Sequence, residues 1–382
     1  MIGYLADSGF SRLGRSPVLA TVVAIALAVV RPVQAEDLAA GLAGVGQSKE
    51  VPGLIAASVG PEGVIESAAW GVRKRGTSEA VTTSDQFSLG SNSKSFTATL
   101  AATLVDEGVL QWSTTVAEVW PKQPVHAGFK EVTLEQLLAH VGGLQSDLED
   151  RQAWSTFFTE KSQPQRERAR MCFLVLTKPP QGTVGRYDYS NLGYVVAAAM
   201  LEERGGKPFE QLMAERVFKP LDMNRTEFYS AKKLKTAKDL LWGHRPKGEP
   251  IRPGEPASEN PTVYAGCGTI RTTIDDWAKY IRWHFNESAG PVLKNDATLR
   301  KLHEGVAEMG PGQTYGFGWI HFQSPLGRTL QHAGSNTTQY CLVWVMPDRK
   351  RATLVVTNTG EKQAFEACDA ATVQLMSSPK FR

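Results

Sequence analysis

The sequence predicts an α+β protein in which one antiparallel sheet is assembled from both ends of the chain, with flanking helices and an inserted, mostly helical lobe between. Three observations carry this prediction. Two apolar runs joined by a Pro61-Glu62-Gly63 turn, at residues 54–59 and 64–70, read as a β-hairpin. A second set of strand-like runs lies far away, at residues 328–331, 339–346 and 353–358, with Pro347-Asp348 marking a turn between the last two. The stretch between these sets shows mainly helical spacing.

Within that stretch, Phe96, Leu100, Leu104 and Val105 recur at helical intervals after Gly90, and Gly108 supplies a stop. Residues 134–140 predict a short helix that ends at Gly142-Gly143. Residues 273–285 begin on threonines suited to an N-cap and carry Ile274, Trp277, Ala278 and Ile281 along one face. A last helix is expected over 362–376. The Pro/Gly-rich residues 246–261 read as a long surface loop inside the helical region. The expected organisation is a leader at 1–35 and one domain at 36–382, with a sheet lobe from about 50–90 and 310–382 and a helical lobe from about 95–305. A cleft between such lobes is a natural place for a site.

Composition narrows the function classes. The chain has 382 residues, 42% of them hydrophobic, enough for a sizeable core. Its 42 basic and 39 acidic residues are well mixed, and no basic run tracks a phosphate backbone, so nucleic acid is not an expected partner. Arg12 and Arg15 precede an apolar run over 18–30, which is shorter than the ~20 residues a bilayer span needs. Val33 and Ala35 follow as small residues. This pattern predicts a signal peptide cleaved after Ala35, a secreted or periplasmic product, and no stable membrane span after cleavage.

Cys172, Cys267, Cys341 and Cys368 would then enter a compartment where thiols can pair. Cys341 falls in an expected strand and Cys368 in the last helix, so they could join across a helix–sheet contact; four buried thiols fit equally well. There is no C-x-x-C or H-E-x-x-H spacing, and no cofactor or metal is expected.

The candidate chemistry begins at "FSLGSNSKSF", residues 87–96. A serine three positions before a lysine puts both on one helix face, and only Ser91, with Lys94, has that partner here. Gly90 would place Ser91 at a helix N-terminus, where charge on an attacked carbonyl is favoured. Ser88 would belong to the approach, and Ser93 and Ser95 to the helix surface or a neighbouring wall. The spacing is not unique, because Ser230/Lys233 and Ser377/Lys380 share it, but neither has the glycine turn or the helix that follows.

Two further elements single out Ser91. Tyr-x-Asn occurs once, at Tyr189-Ser190-Asn191. A tyrosine beside a lysine can be held partly as phenolate and act as a base, and Asn191 offers an amide to a polar substrate. His-x-Gly occurs at His126, His140, His303 and His332, and only His332-Ala333-Gly334 leads directly into a strand pair. There the backbone N–H of Ser335 could lie beside the nucleophile, while the other histidines cap or satisfy helices and turns.

In this order the motifs resemble the serine β-lactamase and penicillin-recognising family, whose signature is S-x-x-K, then Y-x-N or S-D-N, then K-T-G or H-x-G. The resemblance runs from about residue 53 to about residue 376 and includes "LLAHVGGL", "VFKPLDM" and "YGFGW". The Y-x-N form is similar to class C β-lactamases, D-Ala-D-Ala carboxypeptidases and esterases, and His332 in place of lysine leans towards the last two. The resemblance implies that Ser91 forms an acyl-enzyme, that Lys94 and Tyr189 handle its proton, and that the Ser91 and Ser335 amides form an oxyanion hole. Asn191, His332 and Gly334 would hold the substrate, a small molecule or peptide of cell-wall type. Which of Lys94 and Tyr189 is the base stays open. An acylatable sensor without turnover is the rival of another class. Two departures are Thr338 at a position usually held by glycine and Val141-Gly142-Gly143 at the turn after His140.

Overall fold

The computed structural model describes residues 38–381 apart from 159–162, 235–239, 246–247, 256–257, 286–287 and 361, so the expected signal peptide lies outside the described residues. Its centre is an eight-stranded antiparallel sheet. The N-terminal hairpin contributes β1 (Gly53–Gly60) and β2 (Gly63–Gly71). The C-terminal region contributes β3 (Ala307–Gly310), β4 (Gln313–Gly316), β5 (Trp319–Ser324), β6 (Gly327–Ser335), β7 (Tyr340–Met346) and β8 (Arg351–Thr357). The order across the sheet is β2-β1-β8-β7-β6-β5-β4-β3. The two ends of the chain are joined where β1 pairs with β8, in a register running from Leu54 opposite Thr357 to Val59 opposite Ala352.

Both faces of the sheet are covered, which explains why β1 is a continuous apolar run rather than an alternating one. Leu54 and Ala56 pack beneath α1 (Leu38–Ser48) and α5 (Lys362–Ser377), with Val45, Ala367, Cys368 and Leu375. Ile55, Ala57 and Val59 point the other way, into the core shared with the helical region. A truncation such as Leu54→Ala at this doubly covered strand should cost about 2–5 kcal/mol.

Three further helices frame the site, α2 (Ser93–Asp106), α3 (Asn191–Gly205) and α4 (Ile274–Trp283), the last capped by the Thr273 side chain on the Asp276 N–H. Helix α2 is buried on all sides from Ser93 to Leu104. Ser93 and Ser95 are therefore core residues rather than helix-surface ones. The Ser93 hydroxyl accepts from the Ile270 N–H at 3.3 Å and that of Ser95 donates to the Asn92 carbonyl at 3.0 Å.

One further expectation is corrected, and of the two open readings of the cysteines the structure has the buried thiols. Part of 246–261 is interior: Ile251, Ser258 and Glu259 are buried, and the Ser258 carbonyl accepts from Asn336 and Thr338. The four cysteines are buried and unpaired. Cys341 lies on β7 and Cys368 on α5 as expected, but Cys341 instead contacts the Leu89 carbonyl and Asn92, at 3.2 and 3.0 Å. No helix among the described residues is long and apolar enough to cross a membrane.

Candidate active site

Three pieces of chain meet at Ser91. The first is positioned by a short pairing of Phe87–Ser88 with Ile270–Thr272, extended by a bond from the Leu89 N–H to the Ile270 carbonyl at 2.8 Å. The chain then turns through Gly90–Asn92 as one turn of 3₁₀ helix and enters α2. Gly90 has φ +48°, and a Cβ there would lie 2.3 Å from the Ser335 nitrogen. Glycine at this point satisfies both the left-handed backbone and the contact with β6.

The second piece carries Tyr189 and Asn191. Ser190 caps α3, accepting from the Gly193 N–H at 2.9 Å and donating to the Gln145 carbonyl at 2.6 Å. The Ser190 N–H donates to His140 Nδ1 at 3.1 Å, and the Asn191 N–H to the Ser146 carbonyl at 2.9 Å. The tripeptide is thus pinned along the segment that follows His140. His140, itself at φ +60°, packs against Tyr189 with ring centroids 4.3 Å apart and the planes tilted by 42°.

The third piece is the end of β6. Its neighbour β5 pairs with it only up to Gln331, so residues 332–335 have β7 on one side and the Gly90 turn on the other. A Cβ at Gly334 would lie 2.0 Å from the Leu89 carbonyl oxygen, so this contact also requires glycine.

These pieces bring Ser91, Lys94, Tyr189 and Asn191 into one hydrogen-bonded group. Lys94 Nζ donates to Ser91 Oγ at 3.0 Å, to Asn191 Oδ1 at 2.8 Å and to the Cys267 carbonyl at 3.2 Å. An ammonium has three donors, and all three are used. Tyr189 Oη donates to Ser91 Oγ at 2.9 Å. Burial lowers the pKa of Lys94 from 10.5 to about 8, and the nearby Asp147 carboxylate opposes that fall.

Tyr189 behaves differently from the phenolate anticipated beside a lysine. Burial raises its pKa far above the ordinary tyrosine value, outweighing the opposing effect of its bond to Ser91, so it rests as a neutral phenol. Desolvation of the phenolate is the dominant cause, and the nearby Asp147 carboxylate adds to it.

His332 is also neutral. Burial and the charge of Lys94 hold its pKa at about 3. Its Nδ1 faces the Ala333 carbonyl at 2.6 Å, so that nitrogen carries the proton and Nε2 accepts from Tyr315 Oη at 3.2 Å. The imidazole does not reproduce the positive charge of a lysine. Thr338 is buried, its hydroxyl bonded to the Ser258 carbonyl and Asn336 Oδ1 and packed against Gly243, so its side chain turns into the fold.

Tyr264, Asp147, His140 and the Cys267 carbonyl complete the group, and sequence patterns did not reveal them.

A family model described as Beta-lactamase matches residues 35–375. The chain belongs to the beta-lactamase family. Among relatives of this beta-lactamase-family protein, Penicillin-binding protein 4 of Amycolatopsis lactamdurans is 28% identical over 332 residues, covering 82% of this chain and 83% of the relative. Penicillin-binding protein 4* of Bacillus subtilis is 22% identical over 340 residues, covering 84% and 71%. The structure of a beta-lactamase/D-alanine carboxypeptidase from Pseudomonas syringae matches with a TM-score of 0.71 and 18% identity, over 88% of this chain and 97% of that one. An octameric penicillin-binding protein homologue from Pyrococcus abyssi matches with a TM-score of 0.74 and 24% identity, over 90% and 78%. At such identities the two structures bear on the fold alone.

Proposed function

We propose that the protein is an exported serine hydrolase that cleaves an ester, amide or peptide bond through an acyl-enzyme on Ser91. It would consist of a signal peptide at 1–35 and a catalytic domain at 36–382 whose cleft lies between the sheet lobe and the helical lobe. The observation that carries this reading is the convergence of Lys94 Nζ and Tyr189 Oη on Ser91 Oγ, at 3.0 and 2.9 Å.

In this reading the neutral form of Lys94 takes the Ser91 proton as Oγ attacks the substrate carbonyl. The Ser91 and Ser335 amides face the oxyanion. As the bond to the leaving group breaks, Tyr189 gives that group a proton and regains one from the Lys94 ammonium. Water then attacks the acyl carbon, losing its proton to the same pair, which passes it to Ser91 Oγ as the acyl bond breaks. Asn191 holds Lys94 in line and lies beside the substrate with Gly334.

A neutral His332 offers a substrate carboxylate a dipole instead of a charge. Within the carboxypeptidase-like and esterase activities, this favours an ester or amide with no carboxylate beside the scissile bond.

A fluorophosphonate or labelled penicillin should modify the wild type and leave Ser91→Ala unlabelled. Equal labelling of both, or labelling of neither, overturns the nucleophile assignment. Turnover of p-nitrophenyl esters, nitrocefin and a D-Ala-D-Ala peptide should rank the ester first. A leading rate on nitrocefin would make the protein a class C-like β-lactamase, and labelling without turnover of any substrate would make it a sensor.

A further inference from the structure

Among the described residues one carboxylate reaches the same network, and the proton route above does not use it. Asp147 is half-buried on the segment beyond Gly142-Gly143. Its Oδ1 accepts from Asn191 Nδ2 at 2.9 Å and from Tyr264 Oη at 2.7 Å, and its Oδ2 accepts from Ser146 Oγ at 2.9 Å. These partners are all neutral. Tyr264 is buried and lies over Trp154, with centroids 4.9 Å apart, so the bond that holds Asp147 comes from a fixed side chain.

The amide of Asn191 bridges Lys94 and Asp147. An ammonium only donates and a carboxylate only accepts, so only one orientation satisfies both, with Oδ1 towards Lys94 and Nδ2 towards Asp147. Asp147 therefore determines which amide atom meets Lys94, although it does not touch Ser91 itself.

It also supplies charge. Among the described residues, six titratable side chains face Lys94: the thiol of Cys267, the imidazoles of His140 and His332, the phenols of Tyr189 and Tyr194, and the carboxylate of Asp147. Burial keeps both imidazoles and both phenols neutral, and pushes the thiol up to about 12. Asp147 is the anion left to act on the Lys94 ammonium.

We propose that Asp147 is a positioning residue for the Ser91–Lys94 pair: it locks Asn191 in a single orientation and, one amide away, helps Lys94 hold its proton. The rate consequences rest on the hydrolase reading, whereas the Lys94 titration does not.

The test uses the full chain. Asp147→Asn keeps an oxygen for Asn191 and Tyr264 and removes the charge; Asp147→Ala removes both. Lys94 is titrated by NMR with ¹⁵N-lysine labelling, and fluorophosphonate labelling of Ser91 is followed over the same range, roughly pH 6 to 10. In Asp147→Asn the Lys94 midpoint should fall by roughly one pH unit, with the labelling limb moving down alongside it. In Asp147→Ala the labelling plateau should also fall by roughly tenfold as Asn191 becomes free to rotate.

A Lys94 midpoint in Asp147→Asn that superimposes on the wild type overturns the charge role, and a wild-type plateau in Asp147→Ala overturns the lock. If Asp147→Ala does not fold, Asp147→Asn decides the charge role and Asp147→Leu, which keeps the bulk without an acceptor, decides the lock. Absence of Ser91 labelling in the wild type would sink the hydrolase reading while leaving the Lys94 titration to judge Asp147.

Discussion

Lys94 Nζ lies 3.0 Å from Ser91 Oγ inside a core where the lysine side chain is wholly buried. The charged lysine has no lone pair to offer the serine, and the neutral one does. With the pKa of Lys94 lowered to about 8, the rate of Ser91 acylation should be small at acidic pH, rise through about pH 8 and level off above it. A pH profile of kcat/KM checks this; a profile that is flat across that range removes Lys94 from the base role. Lys94→Arg, which keeps the charge but has no accessible neutral form, should lose roughly 10²–10⁴ in rate.

Tyr189→Phe removes one oxygen from a ring packed against His140 and leaves that packing in place. The thermal midpoint should stay near that of the wild type and kcat should fall by roughly 10²–10⁴. The rising limb near pH 8 should remain, because it belongs to Lys94. Near-normal kcat/KM would assign the whole proton route to Lys94.

Gly90→Ala introduces a methyl group 2.3 Å from the Ser335 nitrogen at a φ of +48°. The variant should lose about 1–3 kcal/mol, read as a lower urea midpoint at unchanged slope. Acylation should slow as well, since the turn must retreat from β6. Wild-type values for both stability and rate would show that the contact is easily relieved.

Lys94→Met should gain stability while losing activity. The folded-state pKa of about 8 lies below the ordinary 10.5, so across that window the unfolded chain binds more protons than the folded one. Stability therefore climbs with pH from about 8 to 10.5, and the full cost is present below that window. A depression of this size corresponds to on the order of 3 kcal/mol, of which Lys94→Met should recover about 1–3 at neutral pH after losing the lysine's hydrogen bonds. An unchanged or lower denaturation midpoint in Lys94→Met at pH 7 would count against this cost.

The strands of 54–59 and 339–346 were legible because their apolar content reflects burial, which is local to the sequence. The three strands over Ala307–Ser324 were not. Gly310, Gly312, Gly316 and Gly318 interrupt that pattern, and Phe317 at φ +54° breaks the extended backbone between β4 and β5. Ser91, Lys94 and Asn191 were legible because residue types at fixed spacing imply proximity within a turn, and the glycine turn chose among the three serine–lysine pairs. The neutrality of Tyr189 and His332 was not legible, since it depends on how much surrounding protein excludes water. Asp147 was hidden for a related reason: its tie to Tyr264 spans 117 positions of chain, and no local pattern announces it.

The pairing of Leu54 with Thr357 has a consequence for the order of events during synthesis. The Gly90 turn is made early, but the strand it leans on, β6, ends at Ser335, and the central strand that stitches the halves together, β8, ends at Thr357. Closing a contact across that much chain is slow and takes place only after nearly all of it exists. A nascent or prematurely ended chain therefore carries the serine and lysine without the β6 segment packed against the Gly90 turn. The complete site, and with it the hydrolysis proposed above, can form only once the last strand lies between the first and the seventh.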